Sequence, residues 1–247
     1  MPNLSMFFSI KMFKIHDFYA TSLSKQLFLL KISMGKGKLV KFEAIKSFAN
    51  IIELDTQYKG LWGKQFFKND NPMVVELACG KGDYAIGMAK LFPEKNFLGV
   101  DIKGNRLYTA SNTARAEGVE NVAFLRTQID HLDQYFEKGE ISEIWITFPD
   151  PFLRKGDAKR RLTSTKFLDV YRKILTTGTK INLKTDSDEL YAYTKEIVEN
   201  QRLEIVDDFP DVYAEGKNYL LYNIQTYYEK MHIKDRRTIH FISFLIN

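Results

Sequence analysis

The sequence predicts an α/β fold, a mostly parallel, doubly wound sheet of about seven strands with an antiparallel edge at its C-terminal end. Three observations predict it. From about residue 72, short apolar runs alternate with amphipathic stretches of helical length. The first run empties into two closely spaced glycines, Gly80 and Gly82, and the second ends on an acid, Asp101. The last two apolar runs, Leu203 to Val206 and Thr238 to Ile246, do not keep the crossover spacing of the others.

In chain order, Met73 to Leu77 reads as the first strand and Asp83 to Phe92 as a helix. Asn96 to Val100 is the next strand, ending at Asp101, and a helix follows to Glu117. Gly118 stops that helix, as glycine often does just beyond a C-terminus. Val122 to Arg126 is a strand, followed by a short helix through Phe136. Ile144 to Phe148 is nearly unbroken apolar sequence, the mark of a central strand buried on both faces. Thr163 to Leu175 reads as helix, Thr179 to Lys184 as strand, and Ser187 to Asn200 as helix. Leu203 to Val206 and Thr238 to Ile246 complete the sheet as the antiparallel edge.

The organisation expected is a methionine-led start at Met34, with residues 1–33 an upstream extension, a leading segment at 34–71, and the α/β domain at 72–247. A helical extension is the competing reading of 1–33. The chain of 247 residues is 45% hydrophobic and 27% charged, the balance of an ordinary globular protein. Its formal charge of +5 favours a polyanionic partner, because lysine and arginine release counterions from phosphates. Cys79 is the single cysteine, so neither an internal disulfide nor a multi-cysteine zinc site is available. His16, His131, His232 and His240 are scattered, and no metal is expected. No run approaches the roughly 18 apolar residues that span a bilayer. A reducing cytoplasm fits.

The loop Glu76-Leu77-Ala78-Cys79-Gly80-Lys81-Gly82-Asp83 lies at the carboxyl end of the first strand, where ligands of such sheets bind. A dinucleotide fingerprint would carry glycine at the positions of Ala78 and Ala85, so it fails twice. Glu76 sits poorly beside a pyrophosphate but suits a cation, and S-adenosylmethionine carries both a sulfonium and an ammonium. Asp101, ending the second strand, can accept from both hydroxyls of a ribose. These features point to a Rossmann-like, class I methyltransferase that uses S-adenosylmethionine. A nicotinamide oxidoreductase fits less well.

The strand at 144–148 runs into Pro149-Asp150-Pro151, where two prolines stiffen the backbone around a carboxylate. Five basic residues follow within eight positions: Arg154, Lys155, Lys159, Arg160 and Arg161. Such a loop beside a catalytic edge suits phosphates. A solvated basic face would leave the rigid Pro-Asp-Pro unexplained.

Phe148-Pro149-Asp150-Pro151-Phe152 and the closing Lys159-Arg160-Arg161-Leu162 resemble the signature of the bacterial tRNA (guanine-N(7))-methyltransferases, and the likeness extends from an opening at Met34–Leu39 to the C-terminus. The resemblance implies methyl transfer to nitrogen-7 of guanine 46, in the variable loop of tRNA. It implies Glu76, Asp101 and Asp150 on the cofactor, beside Gly80 and Gly82, whose lack of a side chain lets the backbone approach it. It implies Arg154, Asp186, Thr226, Tyr227, Tyr228 and Glu229 on the substrate. Three departures stand out: Ala78 replaces a glycine, Phe152 replaces a tryptophan, and Gln128 stands where an acid or asparagine contacts adenine. Gln128 can still serve through its amide. Asp186 can also be read as a helix N-cap, and Thr226 with Glu229 as a capping box.

Nitrogen-7 of guanine already presents a lone pair, so no side chain has to remove a proton. Asp150 is expected where positive charge develops, with Asp186 orienting the base and the basic loop holding the tRNA backbone. A small-molecule methyltransferase would have no use for that loop. A non-catalytic RNA-binding protein would have no need of the intact acids and glycines of the cofactor loop.

Overall fold

Eight strands form a single sheet in the order β1-β4-β3-β2-β5-β6-β8-β7 in the computed structural model, which describes residues 40–215 and 219–247. The expectation for residues 1–33 and the opening at 34–39 lie outside the described residues. Strands β2 (Met73–Leu77), β3 (Asn96–Asp101), β4 (Val122–Arg126), β5 (Ile141–Thr147) and β6 (Lys180–Thr185) run parallel. Every residue of β2 and β3 is buried, which is why both read as apolar sequence rather than as an alternating pattern. The helices between them are α1 (Asp83–Leu91), α2 (Gly104–Ala116) and α3 (Thr165–Ile174), and α4 (Asp188–Asn200) follows β6.

The antiparallel edge is present. β8 (His240–Leu245) lies between β6 and β7 (Glu204–Phe209) and is antiparallel to both. Three short helices, α5 (Val212–Glu215), α6 (Tyr219–Asn223) and α7 (Tyr227–Lys234), fill the connection from β7 to β8. The sequence marked only the start of α7, through the capping-box spacing of Thr226 and Glu229, because α5 and α6 are too brief to show a helical period.

The sheet has eight strands rather than about seven. The additional one is β1 (Ile51–Glu53), parallel to β4. Three residues are too few to display a period of two, so nothing in the local pattern announced it. Glu53 pairs with Arg126 at the end of the neighbouring strand, which fixes β1 there. Beyond it, Trp62 is buried with its ring stacked on Phe136 at 5.7 Å, and its indole N–H donates to the carbonyl of Tyr135 at 2.9 Å.

α3 begins two residues later than the sequence suggests. Ser164 is extended and holds the N-cap position, while the Thr163 hydroxyl meets that of Thr194 at 2.7 Å inside the core. The connections from β2 through β3 to β4 travel one way across the sheet, and those from β5 to β6 travel the other. The switch point falls between the carboxyl ends of β2 and β5, the place where open α/β sheets hold ligands.

Candidate active site

Three cavities line the carboxyl edge of the sheet at that switch point, and Arg106 of α2 borders all three. The smallest, about 70 Å³, lies over the loop from β2 to α1 and is bordered by Glu76, Gly80, Lys81, Thr147 and Tyr227. The chain turns there through three residues in the left-handed region, Ala78 (φ 55°), Gly80 (φ 58°) and Gly82 (φ 74°). A Cβ on Gly82 would stand 2.8 Å from the Phe124 ring, so glycine is required on two counts. Ala78 carries the strain that glycine would avoid, about 1–2 kcal/mol.

Glu76 is 2% exposed. One carboxyl oxygen accepts the Ala85 N–H at 2.8 Å and the other the Thr147 hydroxyl at 2.6 Å. Burial pushes its carboxyl up to about 8, although both hydrogen bonds pull the other way. A buried acid of this kind is poised for a cationic neighbour. Thr147 was not visible as a site residue in the sequence, because it reads simply as one position inside the apolar run from Ile144 to Phe148.

The second cavity, about 300 Å³, holds Asp101, Arg106, Gln128, Asp150, Phe152 and Phe167 on its border. Asp101 accepts the Gly80 N–H at 3.0 Å on one oxygen and the Lys103 N–H at 2.8 Å on the other. The same acid therefore ties the glycine loop to the start of α2 while facing the cavity. The Arg106 guanidinium stands 4.0 Å from it. Gln128 is exposed on the same border, two residues beyond the end of β4.

Asp150 is exposed and borders both this cavity and a third of about 400 Å³. Its carboxylate takes no hydrogen bond among the described residues. The flanking backbone is strained, with φ of 47° at Phe148 and 44° at Phe152. Arg161 holds it in place: its Nε and Nη2 donate to the carbonyls of Pro151 and Phe152 at 3.0 and 3.1 Å. Its guanidinium also lies over the Tyr193 ring at 4.3 Å. At 8% exposed, Arg161 is spent on the loop itself rather than on a ligand. The expectation that it joins its neighbours on a phosphate backbone meets a physical obstacle. Arg154, Lys155, Lys159 and Arg160 are all exposed, and Arg160 lies over the Phe152 ring at 4.3 Å.

The third cavity brings Asp150 together with Asp186, His232 and Arg237. Asp186 does not cap a helix: the cap of α4 is Ser187, whose hydroxyl oxygen accepts the Leu190 N–H. Asp186 instead accepts from Arg237 at 2.9 Å. His232 and Arg237 escaped the sequence reading because both lie some fifty positions away in a segment with no motif.

Thr226 does cap α7, its hydroxyl oxygen accepting the Glu229 N–H at 3.1 Å. Glu229 does not complete the box. It is wholly buried and takes Lys184 at 2.7 Å and the Tyr213 hydroxyl at 2.8 Å. Lys184, also wholly buried, donates in addition to the Leu221 carbonyl at 2.5 Å. This places Glu229 beneath the surface, where it anchors the segment instead of meeting a macromolecule. Thr226 and Tyr227 border the smallest cavity, and the Tyr227 N–H donates to Asp83 at 3.1 Å. The Tyr228 side chain lies outside the described residues. Among the described residues there is no cluster of metal-ligating side chains, and no helix is long and apolar enough to cross a membrane.

Fold and site define a class I, Rossmann-like methyltransferase. Residues 70–242 match a protein family described as "Putative methyltransferase". The fold is shared with a 16S rRNA methyltransferase, KamB, at a TM-score of 0.54 and 13% identity, over 72% of this chain and 88% of that one. Proteins named tRNA (guanine-N(7)-)-methyltransferase are far more similar in sequence. That of Bacteroides fragilis is 43% identical over 221 residues, covering 86% of this chain and 87% of its own. That of Porphyromonas gingivalis is 49% identical over 188 residues, covering 75% and 76%. The chain belongs to the tRNA (guanine-N(7)-)-methyltransferase family.

Proposed function

We propose that the chain transfers the methyl group of S-adenosylmethionine to nitrogen-7 of guanine 46, in the variable loop of tRNA. The observation that carries this is the position of Asp150, a free carboxylate at the junction of two cavities. On one side stand residues suited to the cofactor: Asp101 for ribose hydroxyls, Gln128 for adenine, and the backbone of Gly80 and Gly82 for close approach. Glu76, which burial holds near 8, gains a reason to ionise when a cation enters. On the other side is Asp186, suited to a base. S-adenosylmethionine supplies a methyl group on a cationic sulfur, open to direct displacement by a lone pair.

The work left to the protein is alignment and electrostatics. Asp150 places negative charge where positive charge passes from sulfur to the purine. The left-handed turn at Phe148 and the Arg161 clamp hold that carboxylate without help from a flexible side chain elsewhere. Arg154, Lys155, Lys159 and Arg160 face solvent beside it and hold phosphates, while Thr226 and Tyr227 border the methionine end. The cytoplasm is the compartment in which we place this activity. Incubating the protein with labelled S-adenosylmethionine and unmodified tRNA tests the reading. Label recovered as 7-methylguanosine supports it; label in another nucleoside, or none, contradicts it.

A further inference from the structure

Asp186 is held by two residues that no motif assigns and that border the same cavity. Arg237, just past the end of α7, donates from Nη1 to Oδ2 of Asp186 at 2.9 Å. Nε2 of His232, within α7, lies 3.4 Å from the same oxygen. Both contacts fall on Oδ2. Among the described residues, Oδ1 has no hydrogen-bond donor, although the side chain is only 18% exposed and borders the cavity that also contains Asp150.

Several further contacts make this a built arrangement. The Arg237 N–H donates to the His232 carbonyl at 3.0 Å, so the two residues are fixed to one another through the backbone. The His232 ring lies near-parallel to that of Phe148, 6.0 Å away and inclined by 27°. Phe148 is the strained residue that leads into Pro149 and Asp150. The clamp on Asp186 and the segment bearing Asp150 therefore share a wall.

A carboxylate with one oxygen pinned and the other open is an acceptor for a donor edge. Among the RNA bases, guanine alone presents two donors side by side, N1–H and the N2 amino group, on the edge remote from nitrogen-7. A guanine seated with that edge on Asp186 turns nitrogen-7 away from it, toward Asp150 and the cofactor side. Adenine would oppose a ring nitrogen lone pair to the same carboxylate and be repelled.

We infer that Arg237 and His232 are positioning residues that aim Asp186 at the N1–H and N2 amino donors of the target guanine, and so set base specificity. The inference rests on the methyl-transfer reading above and deepens it. The bland alternative is an exposed Arg–Asp pair of little energetic consequence, since the Arg237 side chain is 54% exposed.

Inosine separates the two, because it keeps nitrogen-7 and N1–H but lacks the N2 amino group. The experiment compares kcat/KM on tRNA transcripts carrying guanosine or inosine at the target position, for the wild type, Asp186→Asn, Arg237→Ala, Arg237→Lys and His232→Ala. The wild type is expected to prefer guanosine by tenfold or more. Asp186→Asn is expected to abolish that preference, Arg237→Ala and His232→Ala to reduce it severalfold, and Arg237→Lys to restore most of it. Melting temperature and cofactor affinity stay at wild-type values in the Arg237 and His232 variants. Equal activity of the wild type on both transcripts overturns the inference. So does an Arg237→Ala enzyme that loses activity on both transcripts alike with its preference intact, the behaviour of a phosphate contact. Absence of 7-methylguanosine with the wild type on the guanosine transcript would instead overturn the underlying methyl-transfer reading.

Discussion

Replacing Glu76 by Gln is expected to stabilise the ligand-free protein at alkaline pH while weakening cofactor binding. Glu76 ionises near 4.5 in an unfolded chain but only near 8 in the folded protein, because burial removes its charge from water. Below 4.5 the carboxyl is protonated in both states and costs nothing electrostatically. Between 4.5 and 8 the unfolded chain releases the proton and the folded protein does not, so stability falls as pH rises. Above 8 both states are ionised and the loss is complete. The full span corresponds to at most about 5 kcal/mol, and relaxation around the site brings the expected value to about 2–5 kcal/mol. Glutamine can still accept from Ala85 and donate to Thr147, and it carries no charge. Urea unfolding of wild type and variant from pH 5 to pH 9 reads the effect as a gap that widens with pH, because all other groups titrate alike in both proteins. Cofactor binding to the wild type at pH 7 should release a proton, seen as a buffer-dependent heat, and the variant should release none from this site. A stability gap that stays constant across the range would show that Glu76 is already ionised, against the effect of its burial.

Asp150→Ala is expected to lower single-turnover methyl transfer by about 100-fold or more, with cofactor affinity measured by calorimetry within a few-fold of wild type. Arg161→Ala should lower stability by about 2 kcal/mol in denaturant titration, since two carbonyls lose a charged donor. Lys155→Ala or Lys159→Ala should leave the melting temperature alone and reduce the salt dependence of tRNA binding, plotted as log K against log salt, by about one charge each. Lys184→Met should cost about 3–5 kcal/mol by stranding the Glu229 carboxylate, and Lys184→Met with Glu229→Leu should recover at least half of that in the same titration.

The sequence was most legible where local chemistry and global fold agree. The parallel strands are buried on both faces and announce themselves as apolar runs, and Gly80, Gly82 and Asp101 stand at strand ends where the sheet places ligands. The same holds for Asp150, whose prolines constrain the backbone whatever surrounds it. Sequence could not separate Arg161 from its basic neighbours, because composition does not say which way a side chain turns. Tertiary packing sends Arg161 inward onto the carbonyls of Pro151 and Phe152 and leaves Lys159 and Arg160 outside. Glu229 and Lys184 are a related case. They lie 45 positions apart, and only the antiparallel insertion of β8 and the short helices before it bring them together as a buried pair. Spacing alone made Asp186 a cap candidate, and Ser187 took that position instead.

Methylation of nitrogen-7 at one guanine of tRNA can be read off the product itself by mapping where it cleaves. A transcript with guanosine at position 46 is incubated with enzyme and S-adenosylmethionine, then treated with borohydride and aniline, which cleave the chain at 7-methylguanosine. A single cleavage at position 46 is expected for the wild type, none for Asp150→Ala, and none when that guanosine is replaced by adenosine. Methyl incorporation without cleavage, or cleavage elsewhere in the transcript, would contradict it.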